Sequence, residues 1–261
     1  MHSNTDNIVS KVPEITLAFW MIKILATTLG ETGGDALSMS MDLGYLVSTA
    51  IFAVIFFAAV SAQISAKSYN PTLYWVTIIA TTTVGTTLAD FADRSLGIGY
   101  AGGSTILFLL LLGSFGVWYR AQGEISSSVI SSPRTEMFYW ITIMFSQTLG
   151  TALGDWTADD AGFGYAGSSV VFGGMLLAIV AAYLWTKISR TFLFWAAFII
   201  TRPLGAVVGD FLDKPLSKGG LELSRYSASA ALLLAIAVLV FISSTRSKQN
   251  STVALDLDTD N

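Results

Sequence analysis

The sequence lacks cysteine and contains a single histidine, His2, in its polar first residues. Without cysteine the chain can form no disulfide, no thiolate metal site and no c-type haem attachment. We expect His2 to be a solvated terminal residue, which leaves no imidazole ligand for the rest of the chain. No nucleophile–base pair and no histidine-based metal motif is recognisable, so we do not expect an enzyme.

Charge is also scarce. Only 12% of the 261 residues are charged and 53% are hydrophobic, with a mean hydropathy of +0.63, whereas soluble domains carry about 25% charged residues. Apolar runs of about 20 residues have the length that crosses a bilayer as a helix. Backbone groups in lipid must be paired internally, and the runs do not alternate as barrel strands do. No basic patch suggests binding to nucleic acid.

One short motif, present four times, organises the chain. Each copy has a glycine five residues before an aspartate and a small residue just ahead of the aspartate. A tryptophan lies ten residues before each of these glycines. The copies are Thr-Leu-Gly-Glu-Thr-Gly-Gly-Asp at 28–35, Thr-Val-Gly-Thr-Thr-Leu-Ala-Asp at 83–90, Thr-Leu-Gly-Thr-Ala-Leu-Gly-Asp at 148–155 and Pro-Leu-Gly-Ala-Val-Val-Gly-Asp at 203–210. Such spacing indicates a tandem structural repeat.

The apolar runs predict an all-α, polytopic membrane protein with eight transmembrane helices in four parallel two-helix repeats. The predicted spans are 14–35, 44–66, 72–92, 99–119, 135–156, 165–186, 191–211 and 223–243. We expect one transmembrane domain over 13–246, with repeats at about 13–67, 68–120, 134–187 and 188–246, between disordered segments at 1–12 and 247–261. Key positions of the first two repeats recur 120 residues later, which indicates a two-level duplication. Two spans per unit orient all units the same way.

Loop charge predicts the orientation. Eight basic residues lie on the side of the two termini and four on the opposite side. Because basic loops stay in the cytoplasm, we expect both termini there and the four motifs toward the outer half of the membrane.

The small residues of the motif favour helix packing. They occur four residues apart, as Gly30 and Gly34, Gly85 and Ala89, Gly150 and Gly154, and Gly205 and Gly209. Small residues at this spacing let helices approach closely. We expect the odd-numbered helices to pack there against one another or against their hairpin partners.

The aspartates allow two interpretations. A carboxylate at the centre of a membrane helix costs about 2.5–3.5 kcal/mol on insertion scales. The four are Asp35, Asp90, Asp155 and Asp210. In one interpretation they lie in the headgroup zone or cap the following helix. In the other they line a shared cavity.

Hydroxyl stripes behind the aspartates favour the cavity. At spacings i, i+3 and i+7 one helix face carries Thr28, Glu31 and Asp35, the next Thr83, Thr86 and Asp90, and the third Thr148, Thr151 and Asp155. The fourth copy has Pro203 and Ala206 instead, with Arg202 at the edge of its stripe. Lys23 is a second cation within a span, either functional or a structural partner of Glu31 or of an aspartate on another helix. An asymmetric site weighted toward repeats one to three is therefore expected.

Glycine and tyrosine also recur nine and ten residues after the aspartate. The pairs are Gly44-Tyr45, Gly99-Tyr100 and Gly164-Tyr165. They predict either interfacial turns with belt tyrosines or helix starts that face the same vestibule.

Together, the tryptophan, the Gly-x3-(Gly/Ala)-Asp motif and the four tandem two-helix units resemble a family of bacterial integral membrane proteins. That family is described as carrying a repeat of unknown function in four copies, and the resemblance covers about residues 14–245. It implies a multi-pass protein of the bacterial inner membrane and supplies no reaction.

Three functions remain open from the residues. Carboxylates and hydroxyls without sulfur or imidazole suit hard cations such as Mn²⁺, Mg²⁺ or Ca²⁺, so a divalent-cation or proton-coupled transporter is the first. The second is a transporter of small organic solutes, with Arg202 or Lys23 anchoring an anionic group. The third is a membrane scaffold or sensor. The expected partners are the lipid bilayer and a small ion or solute. A homo-oligomer is compatible with the sequence, which leaves the oligomeric state open.

Overall fold

The computed structural model describes residues 10–259, with side chains for 10–245. Within that part the chain is helical and has no strand. Its eight long helices are α1 Leu17–Asp35, α2 Gly44–Ser65, α3 Pro71–Asp90, α4 Tyr100–Gln122, α5 Pro133–Asp155, α6 Gly164–Trp185, α7 Arg190–Asp213 and α8 Arg225–Thr259. Single π-helical turns follow α1, α3 and α5, at Ala36–Ser40, Phe91–Ser95 and Trp156–Asp160. A 3₁₀ turn, Leu216–Lys218, precedes α8.

The predicted spans agree with these helices to within a few residues, except at the end of the chain. The sequence predicts a disordered segment from residue 247, whereas α8 continues as helix to Thr259. No glycine or proline follows Arg225, so neither of the two residues with the lowest helix propensity interrupts it.

The start of the chain also differs from the prediction. Residues 1–9, and with them His2, lie outside the described part, but residues 10–12 are ordered by contacts with the bundle. The Lys11 amide donates to Ile130 O at 2.8 Å, and Lys11 Nζ lies 2.6 Å from a carboxylate oxygen of Glu136. Because Lys11 and Val12 are buried, the disordered segment predicted over 1–12 does not extend through these residues.

The odd-numbered helices form an inner ring. α1 packs against α3, α3 against α5, α5 against α7, and α7 against α1. Each even-numbered helix packs mainly against the odd helix of the following repeat, as α2 does on α3, α4 on α5 and α6 on α7. α8 packs against α1 and so joins the last repeat to the first.

The outer helices present apolar faces to the surroundings. Exposed fractions reach 70% for Val54, 62% for Leu109, 75% for Val170 and 72% for Phe241. Five helices are long and apolar enough to cross a membrane, namely α2, α4, α6, α7 and residues Arg225–Thr245 of α8. α1, α3 and α5 carry many polar residues, most of them buried in the ring. Apolar side chains outside and polar side chains inside are the pattern expected of a helix bundle that crosses a membrane.

Aromatic side chains fill the bundle at the end of the two termini. Tyr74, Trp75, Tyr139, Trp140 and Trp195 are all buried there. The Tyr74 and Tyr139 hydroxyls lie 2.7 Å apart and satisfy each other. The recurring tryptophans of repeats two to four are therefore core residues, and this end of the bundle axis is closed by packed rings.

Candidate functional site

Close helix contacts place four equivalent side chains around the bundle axis. In each repeat, the side chain three positions before the motif glycine packs against the next motif glycine around the ring, the one on the preceding odd-numbered helix. The pairs are Thr27 on Gly205, Thr82 on Gly30, Gln147 on Gly85 and Arg202 on Gly150. One turn outward, Glu31 lies on Gly209, Thr86 on Gly34 and Ala206 on Gly154. The motif glycines thus let each odd helix contact its neighbour in the ring rather than its hairpin partner.

Adding one methyl group at this contact is expected to destabilise the ring. A Cβ on Gly205 would lie 2.5 Å from Thr27 Cβ and 2.8 Å from the Thr27 backbone carbon. Gly205→Ala should therefore cost about 1–3 kcal/mol through overpacking. Gly33→Ala is the matched control, since its Cβ would meet no atom within 4 Å. Melting temperatures in detergent should fall for Gly205→Ala only, and equal values for the two variants would contradict the close contact.

Arg202 extends from α7 onto the bundle axis. Its Nη2 lies 3.1 Å from Glu31 Oε2, 2.6 Å from the Thr86 hydroxyl and 2.5 Å from the Thr151 hydroxyl. These three partners belong to the other three odd helices, and α7 itself has Ala206 at their level. A fully buried guanidinium that contacts all three neighbours lies at the centre of the ring. It joins repeat four to the polar residues of repeats one to three.

Two of the four aspartates share one arginine. Arg94, in the turn after α3, lies 3.1 Å from Asp90 through Nε and 3.0 Å from Asp155 through Nη2. The Arg94 side chain also donates to the hydroxyls of Tyr45 and Tyr100 at 3.0 and 2.9 Å. Two of the recurring tyrosines thus hold the arginine between the carboxylates, a contact that neither interpretation of the Gly-Tyr pairs predicts.

The other two aspartates share one lysine. Lys214, just after α7, lies 2.5 Å from Asp35 and 3.0 Å from Asp210. Arg225 supports this pair from the start of α8, 2.8 Å from Asp213 and 3.8 Å from Asp35. Asp35 and Asp210 lie on α1 and α7, so this pair forms where the last odd helix meets the first.

Arg94 and Lys214 remain charged in this setting. Burial alone would lower the pKa of Lys214, but the carboxylates of Asp210, Asp35 and Asp213 raise it well above its ordinary value. Burial opposes the charge of Arg94 in the same way, and the carboxylates Asp90 and Asp155 again raise its pKa. Each pair of aspartates is therefore bridged by a side chain that stays protonated and positively charged.

The aspartates are enclosed by the protein and do not cap the turns that follow them. All four side chains are at most 2% exposed within the protein. Asp35, Asp90 and Asp155 accept no capping hydrogen bond from the turn that follows them. Their partners are the cationic side chains instead. A buried carboxylate without a counter-ion is costly, and these cations supply one.

Three carboxylates come close enough to ligate one cation. Glu31, Asp35 and Asp210 each offer an oxygen within 4.8 Å of the other two, and all three are buried. Asp35 Oδ1 has no hydrogen-bond partner, whereas Asp210 Oδ1 lies 3.0 Å from the ammonium of Lys214. An all-oxygen, buried donor set suits a hard cation. Asp90 and Asp155, also expected as metal ligands, lie outside this group of three and contact Arg94.

The expected hydroxyl stripe divides into two sets. Thr86 and Thr151 reach the axis and contact Arg202. The hydroxyls of Thr28, Thr83 and Thr148 instead donate to carbonyls of their own helices at 3.0, 2.6 and 2.9 Å. This is the bond that threonine commonly makes to the carbonyl four residues earlier. The second set is therefore not available as free ligands in this conformation.

Sequence reasoning missed the two shared cations. Arg94 and Lys214 count as loop charges in the orientation argument, although each lies four residues after a motif aspartate. They are also 120 residues apart, so they occupy equivalent positions in the two halves of the duplication. The spacing of four residues from the aspartate can be read in the sequence, but only the ring arrangement shows that each cation also reaches the aspartate of the next odd-numbered helix.

Comparison with known proteins gives one family and no named relative. The family model described as Repeat of Unknown Function (DUF347) matches residues 18–69, 73–124, 138–189 and 193–249. The four matches confirm the fourfold repeat and its resemblance to an uncharacterised repeat family. Searches of curated proteins and of solved structures each find no match.

Proposed function

Since the chain belongs to the family of the Repeat of Unknown Function (DUF347), whose description names no activity, we propose from its geometry that it is an integral membrane transporter for a hard cation. One observation carries the proposal. The group Glu31, Asp35 and Asp210 is buried inside the ring, and its three carboxylates face two cationic side chains, Lys214 from beyond the end of α7 and Arg202 from within it.

The two shared cations suggest how transport begins. Lys214 belongs to the loop after α7 and Arg94 to the π-helical turn after α3, so neither lies within a long helix. A divalent cation that enters from this end replaces the ammonium of Lys214 between Asp35 and Asp210, and it brings two positive charges to the three carboxylates where the ammonium brought one. Binding is thus an exchange of one cation for another, which avoids leaving the carboxylates unpaired.

The rest of the axis supports alternating access. Beyond the carboxylates the ion meets the guanidinium of Arg202, and beyond that the aromatic packing around Tyr74 and Tyr139. The described conformation is therefore closed toward the terminal side. Release on that side requires the ring helices to move against one another, as repeat-built transporters do.

Topology and location complete the proposal. All eight helices cross the membrane, the ring of polar helices being shielded from lipid by α2, α4, α6 and α8. Both termini face the cytoplasm of a bacterial cell, the chain lies in the inner membrane, and the aspartates face outward. No enzymatic step is involved.

Flux into liposomes tests the proposal. Purified protein is reconstituted, and uptake of Mn²⁺, Mg²⁺ and Ca²⁺ is followed with indicator dyes inside the vesicles, together with internal pH. Asp210→Asn should abolish uptake of the transported ion. Asp160→Asn is the matched control, because Asp160 is an exposed acid at the same end of the bundle.

Two outcomes would overturn the proposal. Absence of flux of any of the three metals and of protons, with correctly folded wild-type protein, would leave the organic-solute transporter and the scaffold or sensor interpretations. Uptake that Asp210→Asn and Asp160→Asn leave equally intact would show that the carboxylate group is not the ion site.

A further inference from the structure

A groove opens at the end of the bundle that holds the two termini, between α1, α6 and the first turns of α7. Its volume is about 500 Å³, which is within the range of roughly 300–1,000 Å³ for sites that take small molecules. From α7 it is lined by Arg190, Leu193, Phe194 and Ala197. These residues are spaced i, i+3, i+4 and i+7 and form one face of the helix, so the groove follows α7 for about 10 Å.

The walls of the groove are apolar and accessible from outside the bundle. Leu17 and Trp20 line it from α1, and Ile179 and Val180 line it from α6. Exposed fractions of 77% for Leu17 and 52% for Val180 show that the groove opens to the surroundings, which are lipid in the membrane location proposed above. Because the groove runs along a helix that crosses the membrane, it has the direction of an acyl chain.

Arg190 marks the terminal end of the groove. It is exposed, and it is the one charged residue among the described residues that line the groove. Its guanidinium donates to the Tyr183 carbonyl oxygen and lies 4.2 Å from the centre of the Tyr183 ring. Since a guanidinium has five N–H donors, donors remain for a ligand. Lys23 also lies 4.2 Å from an aromatic ring, that of Phe198, but it is fully buried and so closed to a ligand from outside.

Aromatic residues place this end of the groove at the membrane surface. Trp185, at the end of α6, is 82% exposed, and Tyr183 is 53% exposed. Exposed tryptophan and tyrosine are enriched where a bilayer meets water. Arg190 begins α7 directly after the turn that follows Trp185, so its guanidinium lies at the level of lipid headgroups.

The longest internal linker brings hydroxyl groups to the same end of the groove. The linker between α4 and α5, residues 123–132, is at least twice as long as the other two linkers at this end of the bundle. It is held by the start of the chain, where Ser10 Oγ donates to Ser128 O at 2.6 Å. Ser127 and Ser128 thereby line the groove, although no residue of α4 or α5 does so. One end of the groove therefore combines a cation with serine side chains.

We propose that the groove binds one anionic phospholipid, whose phosphate contacts Arg190 and the serine hydroxyls while an acyl chain lies along α7. The planar guanidinium matches the geometry of a phosphate, and basic pockets between membrane helices bind anionic headgroups. Among the described residues no acid lines the groove, so its wall does not repel the negative charge. The inference rests on the membrane location proposed above but not on cation transport.

Native mass spectrometry measures this binding. Purified protein in neutral detergent is titrated separately with phosphatidylglycerol and with phosphatidylcholine that carry the same acyl chains. Phosphatidylglycerol should bind about fivefold more tightly, which is the preference that one basic residue provides at an anionic surface. Arg190→Gln should remove this preference and leave the weaker binding of both lipids. Arg120→Gln is the matched control and should retain it, because Arg120 is an exposed arginine at the same end that does not line the groove.

A change in the groove wall tests the place of the acyl chain. Val180→Trp puts a large ring at an exposed position of the wall and should weaken the binding of both lipids. Both changed positions are exposed, so the variants are expected to fold.

Several results would overturn the phospholipid site. These are equal affinities of the wild type for the two lipids, a preference that Arg190→Gln retains, and affinities that Val180→Trp leaves unchanged. A wild-type protein that binds neither lipid and forms dimers would assign the groove to a second copy of the chain, against the proposal. Metal uptake enters none of these measurements, so the two proposals can fail separately.

Discussion

Lys214→Met is expected to lower the stability of the protein strongly and to make that stability depend on a divalent cation. The ammonium of Lys214 lies between Asp35 and Asp210, both nearly fully buried. Removing one partner of a buried ion pair costs about 3–5 kcal/mol, because the remaining charge is left uncompensated. Arg225, 3.8 Å from Asp35, is too distant to replace the lysine at both carboxylates.

Rescue by metal is what distinguishes a cation site from a structural ion pair. Without Lys214, the group Glu31, Asp35 and Asp210 offers three buried carboxylates to an added cation. Mn²⁺ or Mg²⁺ should therefore restore the melting temperature of Lys214→Met, at lower concentration than is needed to stabilise the wild type. The wild-type protein binds less tightly because its own ammonium competes for the same oxygens.

Lys218→Met is the matched control for this experiment. Lys218 is an exposed lysine four residues further along the same loop, so its loss should change neither stability nor metal dependence. Melting curves of both variants with and without metal decide the question. A destabilised Lys214→Met protein that no divalent cation rescues would favour a purely structural pair.

The repeated motif allowed the helices to be predicted well but not the way they pack. Four apolar hairpins with glycine strips follow from composition and spacing, because both are local properties. That α2 packs on α3 and α8 on α1 depends on contacts between repeats, for which the sequence offers equal alternatives. The motif glycines are compatible with hairpin packing and with ring packing, and only the threonine, glutamine and arginine side chains that pack on them distinguish the two.

The site was predictable in its ingredients but not in its pairing. Aspartates, hydroxyls, Lys23 and Arg202 all stand out in a chain with few charges. Arg94 and Lys214 do not, since lysine and arginine are ordinary in loops. Their importance follows from the helical positions of Asp90 and Asp210 four residues earlier, and from the next helix of the ring.

Divergence between the repeats explains why four aspartates give two pairs. Repeats two and four carry Arg94 and Lys214 four residues after the aspartate, while repeats one and three carry Met39 and Asp159 there. Each cation reaches its own aspartate and that of the following helix, so the fourfold ring becomes twofold in its charges. The group Glu31, Asp35 and Asp210 forms at the pair that shares the lysine. A lysine ammonium is a point charge without the planar donor fork of a guanidinium, so we expect a metal ion to displace it more readily than an arginine.

Arg202→Met is expected to be the second strongly destabilising change. The guanidinium is fully buried and is the partner of Glu31 on the axis, with the Thr86 and Thr151 hydroxyls beside it. Its loss leaves Glu31 buried without a counter-ion, at a cost of about 3–5 kcal/mol. Glu31→Gln together with Arg202→Met removes both charges and should recover most of that stability, since a buried pair replaced by uncharged side chains of similar volume is often neutral.

Flux measurements separate the two roles of Arg202. If the guanidinium closes the axis, the double variant should fold and yet let cations leak down their gradient faster than the wild-type protein does. Gln147→Met is a suitable control, because Gln147 occupies the equivalent position on α5 without reaching the other three helices through a charge. A double variant that is stable and leaks cations no faster than the wild type would mean that Arg202 serves the packing of the ring and does not close the bundle axis to ions.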